Sequence, residues 1–118
     1  MVFLQKGKTE QFYVKHNLYH NILTDMNQSM TSIAKNDPWF EAFCRAVVDR
    51  HKFDLRPQIF PAATDSRFFR ALGIPALGFS PMPNTPVLLH DHNEFLNEKI
   101  FICGIDVYYD IIKELASV

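Results

Sequence analysis

The sequence predicts an α/β fold in the order helix, strand, helix, strand, ligand loop and C-terminal helix, with a sheet left incomplete. Three observations predict it. Apolar residues recur at helical spacing in two long stretches, around Trp39–Val47 and Phe101–Leu115. Two short apolar runs, within residues 56–63 and 74–79, flank a third helical stretch. Between the second run and the last helix lies a segment broken by Pro81, Pro83 and Pro86 that ends in His90-Asp91-His92.

Each element has its own local justification. Asn36 or Asp37 can cap a helix with Pro38 in its first turn, where the missing N–H has no intrahelical partner to lose. Trp39, Phe43, Ala46 and Val47 then give a helix of about three turns ending near Arg50. The run Arg56-Pro57-Gln58-Ile59-Phe60-Pro61-Ala62-Ala63 reads as a strand entering a tight turn. Thr64 or Asp65 can cap the second helix, with Phe68, Phe69 and Leu72 expected to pack inward and Gly73 to stop it. Ile74-Pro75-Ala76-Leu77-Gly78-Phe79 reads as the second strand. Strand, helix and strand form a βαβ unit, which implies parallel pairing through a right-handed crossover. The last helix should start near Asn93 or Asn97 and reach Leu115, its inward stripe being Phe101, Ile105, Tyr108, Ile112 and Leu115. Residues 1–35 show no sustained period and remain an unassigned N-terminal segment, so the readable domain is 36–118.

Composition narrows the function classes. The chain has 118 residues, 47% hydrophobic and 14% aromatic, enough for one domain with a real core. A formal net charge of −1 offers no electrostatic footprint for nucleic acid or an anionic membrane. No run approaches the roughly 20 apolar residues of a membrane span, and the N-terminus does not read as a secretory signal. Cys44 and Cys103 make no Cys-x-x-Cys pair and fall on apolar faces of the expected helices, which favours a reducing, cytoplasmic setting.

The candidate chemistry sits on loops. His90 and His92 are two apart, so an extended segment would point both imidazoles one way and Asp91 the other. Imidazole is a good zinc ligand, but a catalytic zinc takes about three protein ligands and this segment supplies one or two. The competing reading is a loop histidine bonded to backbone beside a solvated one, with Asp91 as an orienting group in the metal case. Thr64-Asp65-Ser66-Arg67 follows the first strand, where open α/β sheets place ligands. There Arg67 offers a planar fork matched to a carboxylate. Against that stands a plain cap at Asp65 and a solvated Arg67, with Arg70 its neighbour on one face. Gly78 permits either close backbone approach or a simple bend. His16, His20 and His51 read as surface or core histidines.

Taken together, Asn36-Asp37-Pro38-Trp39, residues 61–68 (Pro61-Ala62-Ala63-Thr64-Asp65-Ser66-Arg67-Phe68), residues 73–82, residues 85–94 and the ending Gly104-Ile105-Asp106-Val107-Tyr108 with Leu115-Ala116-Ser117-Val118 carry a resemblance. They resemble the C-terminal segment of the N-acyl-L-amino-acid amidohydrolases (aminoacylases). Those enzymes belong to the co-catalytic zinc peptidase and amidohydrolase family, with succinyl-diaminopimelate desuccinylase and acetylornithine deacetylase. The match runs in order over about residues 36–118. It implies a zinc-peptidase-like catalytic domain of which this is the C-terminal part. It implies that His90 is a zinc ligand, that Arg67 holds the α-carboxylate of an N-acyl amino acid, and that Thr64 and Gly78 line the substrate cleft. The resemblance further implies a two-zinc site and a homodimeric full-length enzyme.

The sequence also departs from the family. The family's upstream His-x-Asp motif, bridging Asp, Glu-Glu pair with the general base, and further Asp ligand have no counterpart here, and no Glu-Glu dipeptide occurs. No catalytic residue is therefore assigned to this chain, and its own status as an enzyme stays open. Its inserted dimerisation domain is unmatched beyond, at most, a remnant before residue 36. Two expectations follow. The chain is a portion of a zinc-dependent amidohydrolase, whether as fragment, truncated gene model or piece of a larger enzyme. Alternatively it is an inactive product that binds the full enzyme or mediates dimerisation.

Overall fold

The computed structural model describes residues 2–3, 30–58 and 64–118. Helix α1 spans Pro38–Cys44, and the Asp37 carboxylate starts it by accepting the N–H groups of Trp39 and Phe40, both at 3.0 Å. This cap occupies donors that a helix start otherwise leaves to water. The helix continues to Arg50 as expected, but as a π-helical stretch over Arg45–Arg50. The wider turn has a consequence: residues five apart come onto one face. Arg45 and Arg50, about 140° apart on an ideal α-helix, therefore both reach Glu114, at 3.0 Å each.

Helix α2, Ser66–Ala71, ends in a Schellman arrangement. Gly73 stands at φ 77°, its N–H donates to the Arg70 carbonyl, and the Ile74 N–H donates to the Phe69 carbonyl, each at 3.0 Å. A side chain at Gly73 would be strained there, which is why the sequence stop is legible. Helix α3, Glu98–Leu115, begins at Asn97, whose side chain accepts the Lys99 N–H at 3.0 Å.

The core lies between α1 with its π-helical continuation and α3. Phe40, Phe43, Ala46 and Val47 pack on Val107 and Ile111, and Phe53, Leu55, Leu77, Phe79 and Leu115 close the edges. Gly104 belongs to the same buried face: a Cβ there would stand 3.3 Å from the Pro81 ring, so the missing side chain lets the buried proline seat on the helix.

Several expectations are corrected. The inward face of α3 is Gly104, Val107 and Ile111, with Leu115 half-buried, whereas Phe101, Ile105, Tyr108 and Ile112 are 43–65% exposed. The helix carries two adjacent apolar stripes, and the core took the one with the smaller side chains, which admits closer approach to α1 and Pro81. Phe68, Phe69 and Leu72 are exposed rather than inward, because no described element covers α2. Trp39 is also half-exposed, and Cys103 is exposed.

The expected parallel βαβ unit is absent among the described residues. Their only sheet is two-stranded and antiparallel: β1 (Val2–Phe3) pairs with β2 (Arg56–Pro57), Val2 opposite Pro57 and Phe3 opposite Arg56. The rest of the first expected strand, Ile59 to Ala63, lies outside the described residues. Residues 74–79 have no ladder partner among the described residues. Ala76 instead bonds the Thr31 hydroxyl through both its N–H and its carbonyl. The chain thus has the character of a partial α/β domain, with helices, little strand and no complete sheet among the described residues.

Candidate substrate and metal site

The turn into α2 gathers hydroxyls and guanidinium groups. Thr64 is half-buried, its hydroxyl 2.5 Å from that of Ser66, and its carbonyl accepts the Arg67 N–H at 3.1 Å. Arg70 donates through Nη1 to Ser66 Oγ at 2.8 Å. Ser66 Oγ therefore accepts from Arg70, and one of the two hydroxyls donates to the other across the Thr64–Ser66 contact. Asp65 occupies the capping position without capping: its backbone is already helical (φ −64°, ψ −14°) and its side chain accepts no cap bond.

Arg67 is held by its flat face. Its guanidinium carbon lies 4.8 Å from the centre of the Phe68 ring, a cation–π contact that fixes the plane without consuming donors. Its Nε is buried and has no hydrogen-bond partner among the described residues. A buried donor of this kind is costly to leave unmade.

Gly78 is half-buried, in the segment between α2 and Pro81. It lines a cleft of about 870 Å³ together with Thr31, Trp39, Phe40, Leu77 and Tyr108. The segment that carries it is tied down at both ends. Thr31 holds Ala76, and the Tyr108 hydroxyl donates to the Phe79 carbonyl at 2.5 Å. Burial pushes the Tyr108 phenol above its ordinary range.

His90 sits in a turn, not in an extended segment. Its φ is 61°, in the left-handed region that non-glycine residues seldom occupy, and the Asp91 N–H closes the turn on the Leu88 carbonyl at 3.0 Å. The expected common direction of His90 and His92 therefore has no basis in the backbone. Asp91 orients His92 instead: its Oδ1 accepts the His92 N–H at 2.7 Å and lies 2.8 Å from His92 Nδ1. His90 is exposed, and its ring makes no hydrogen bond among the described residues. Its donor chemistry suits zinc. A full metal centre does not fit, because no group of three or more His, Cys, Asp or Glu side chains converges among the described residues. No hydrogen bond, ion pair or ring contact among them joins Thr64 or Arg67 to Gly78 or His90.

Sequence reasoning missed one polar assembly. Arg45, Arg50 and His51 meet Asp110 and Glu114, which are four apart on α3. His51 lies 2.8 Å from Asp110, and Arg50 bonds both carboxylates. The hydrogen bond from His51, then that from Arg50, holds the Asp110 carboxyl below its usual range, and Asp110 in turn raises Arg50. The i, i+4 acidic pair was the available signal. Thr31 was also missed, since nothing in its surroundings distinguishes it in the sequence. No described helix is long and apolar enough to cross a membrane.

Residues 19–114 match the model of Peptidase family M20/M25/M40. The chain is 58% identical over 92 residues to Aminoacylase-1 of Mus musculus, covering 75% of this chain and 22% of that protein. It is 50% identical over 93 residues to Aminoacylase-1 of Homo sapiens, covering 79% and 22%. It is 53% identical over 88 residues to Aminoacylase-1 of Dictyostelium discoideum, covering 75% and 21%. The chain spans about a fifth of the length of these curated relatives.

Proposed function

The chain belongs to peptidase family M20/M25/M40, and from that premise we propose that it is the C-terminal part of a zinc-dependent N-acyl-L-amino-acid amidohydrolase. The reaction is hydrolysis of an N-acyl amino acid to the free amino acid and a carboxylate. The observation that carries this reading is the 50–58% identity to aminoacylases over at least three quarters of the chain.

In this reading residues 36–118 are the C-terminal part of the zinc-binding catalytic domain. Arg67 takes the substrate α-carboxylate through its planar fork, and Thr64 and Gly78 line the substrate cleft. Support comes from the anchoring of the Arg67 guanidinium over Phe68, which orients the fork without using its donors. His90 would hold one zinc of a two-metal site, with the other ligands and the general base outside this chain. Zinc in such a site lowers the pKa of bound water and polarises the scissile carbonyl. The chain's own part is to bind the carboxylate, shape the cleft and contribute one imidazole. The setting is the cytoplasm, where two free cysteines persist, and the assembled enzyme is a homodimer.

One observation favours a second reading, in which the chain is an inactive product that binds the full enzyme. Phe101, Ile105, Tyr109 and Ile112 leave a continuous apolar stripe of α3 exposed, more than an isolated surface comfortably carries. Purifying the zinc-loaded enzyme that contains this chain and assaying an N-acetyl-L-amino acid tests the first reading. Hydrolysis that chelation abolishes supports it; hydrolysis indifferent to chelation, or none, rejects it.

A further inference from the structure

We propose that Ser66 is a positioning residue for the substrate carboxylate site, fixing the Thr64 hydroxyl while Arg70 fixes Ser66 in turn. The inference rests on the reading that Thr64 lines the substrate cleft and Arg67 takes the α-carboxylate. Threonine carries a hydroxyl and a methyl on one carbon, so turning it about Cα–Cβ exchanges a polar contact for an apolar one. What Thr64 offers a substrate is therefore decided by whatever holds its hydroxyl.

The holder is local. Ser66 Oγ stands 2.5 Å from Thr64 Oγ1, and Arg70 Nη1 donates to the same Ser66 oxygen at 2.8 Å. A guanidinium has donors only, so it takes one lone pair of Ser66. The serine keeps one proton and one lone pair, and either completes the bond to Thr64. Ser66 and Arg70 are four apart on α2, the spacing at which helical side chains meet. Asp65, not Ser66, stands in the capping position. The same arrangement gives the two cations separate tasks. Arg67 and Arg70 are three apart on α2 and would repel across that face. Arg70 is engaged by Ser66 through an N–H, whereas Arg67 is engaged by Phe68 through its flat face. The Arg67 backbone N–H donates to the Thr64 carbonyl at 3.1 Å. Thr64 is thus tied by its main chain to the clamp and by its side chain to Ser66. All of these bonds join residues 64–70 to one another. Sequence neighbours set them, so they accompany the segment into the complete enzyme.

The test uses the zinc-loaded holoenzyme that contains this chain, with N-acetyl-L-leucine as substrate. Ser66→Ala removes the hydroxyl at a half-buried position where alanine suits the helix, and Ser66→Thr keeps the hydroxyl. Ser66→Ala should raise KM about fivefold, the worth of one hydrogen bond, with kcat within about twofold. Ser66→Thr should restore KM. The deciding comparison is made in Thr64→Val, which keeps side-chain bulk and removes the hydroxyl that Ser66 holds. In that background Ser66→Ala should change KM by less than about twofold, because the two substitutions break one interaction. The same rise in both backgrounds would overturn the inference, since Ser66 would then act without Thr64. An unchanged KM in Ser66→Ala would overturn it, as would a Ser66→Thr enzyme as impaired as Ser66→Ala. Loss of kcat in proportion to melting temperature, without a KM effect, would mark the bonds as structural and overturn it too. A wild-type holoenzyme that hydrolyses nothing fails the underlying reading, whereas an active one indifferent to Ser66 fails the inference alone.

Discussion

Asp110 on α3 is hydrogen-bonded to His51 at 2.8 Å and to Arg50, so one carboxylate ties the helix to both residues that close the π-helical stretch after α1. Glu114, one turn later, repeats the arrangement with Arg45 and Arg50. This polar seam lies along the same junction as the buried Phe43, Val47, Val107 and Ile111 contacts.

The seam makes stability depend on acid. The Asp110 carboxyl titrates below its ordinary value because the folded state bonds its charged form. Its contribution is therefore complete above the unfolded value, about 3.9, and disappears as pH falls through the lower folded value. Thermal melts of the wild type and Asp110→Asn should differ at pH 7 and converge toward pH 2. A difference that stays constant across that range would show that ionisation of Asp110 contributes nothing.

Core and surface phenylalanines should separate sharply. Phe43 is 4% exposed and packed on α3, whereas Phe68 is 49% exposed. Phe43→Ala should cost about 3–5 kcal/mol in urea unfolding, and Phe68→Ala within about 0.5 kcal/mol. Similar losses at the two positions would restore the inward packing of α2 that the sequence suggested.

That contrast shows what was legible. Helix ends were readable because Asp37, Asn97 and Gly73 act through local bonds and local backbone geometry. Which face of α3 turns inward was not. Glycine at 104 adds nothing to a hydrophobic pattern, yet its missing Cβ is what lets Pro81 approach the helix. The strand pattern at residues 74–79 was real as a pattern, but pairing needs a partner and none is described. The candidates Thr64, Arg67, Gly78 and His90 took their proposed roles from matched strings, since residues this far apart in sequence have no spacing that reveals their geometry. Thr31 was invisible for the same reason.

Arg67 should matter for substrate more than for folding. In the holoenzyme, Arg67→Lys keeps the charge and loses the fork. The expected loss is about 1–3 kcal/mol in kcat/KM on an N-acetyl amino acid, with little change in melting temperature. An equal loss on the matching amide without a carboxylate would remove Arg67 from the carboxylate clamp.

The two loop histidines should also differ. His92 is occupied by Asp91, whereas the His90 ring makes no bond among the described residues. Zinc content measured on the His90→Ala and His92→Ala holoenzymes should fall for the first and hold for the second. Equal losses, or the reverse order, would contradict the assignment.

The central claim is that this chain carries substrate-binding and metal-binding pieces of a hydrolase whose catalytic base and remaining ligands lie elsewhere. The most direct measurement is zinc-dependent hydrolysis of an N-acetyl-L-amino acid by the purified 118-residue chain, with light scattering on the same sample. The account predicts no turnover, because one imidazole does not hold a co-catalytic zinc pair and no Glu-Glu dipeptide is present. It also predicts self-association through the exposed stripe of α3 at Phe101, Ile105 and Ile112. Zinc-dependent turnover by a monodisperse monomer would contradict it.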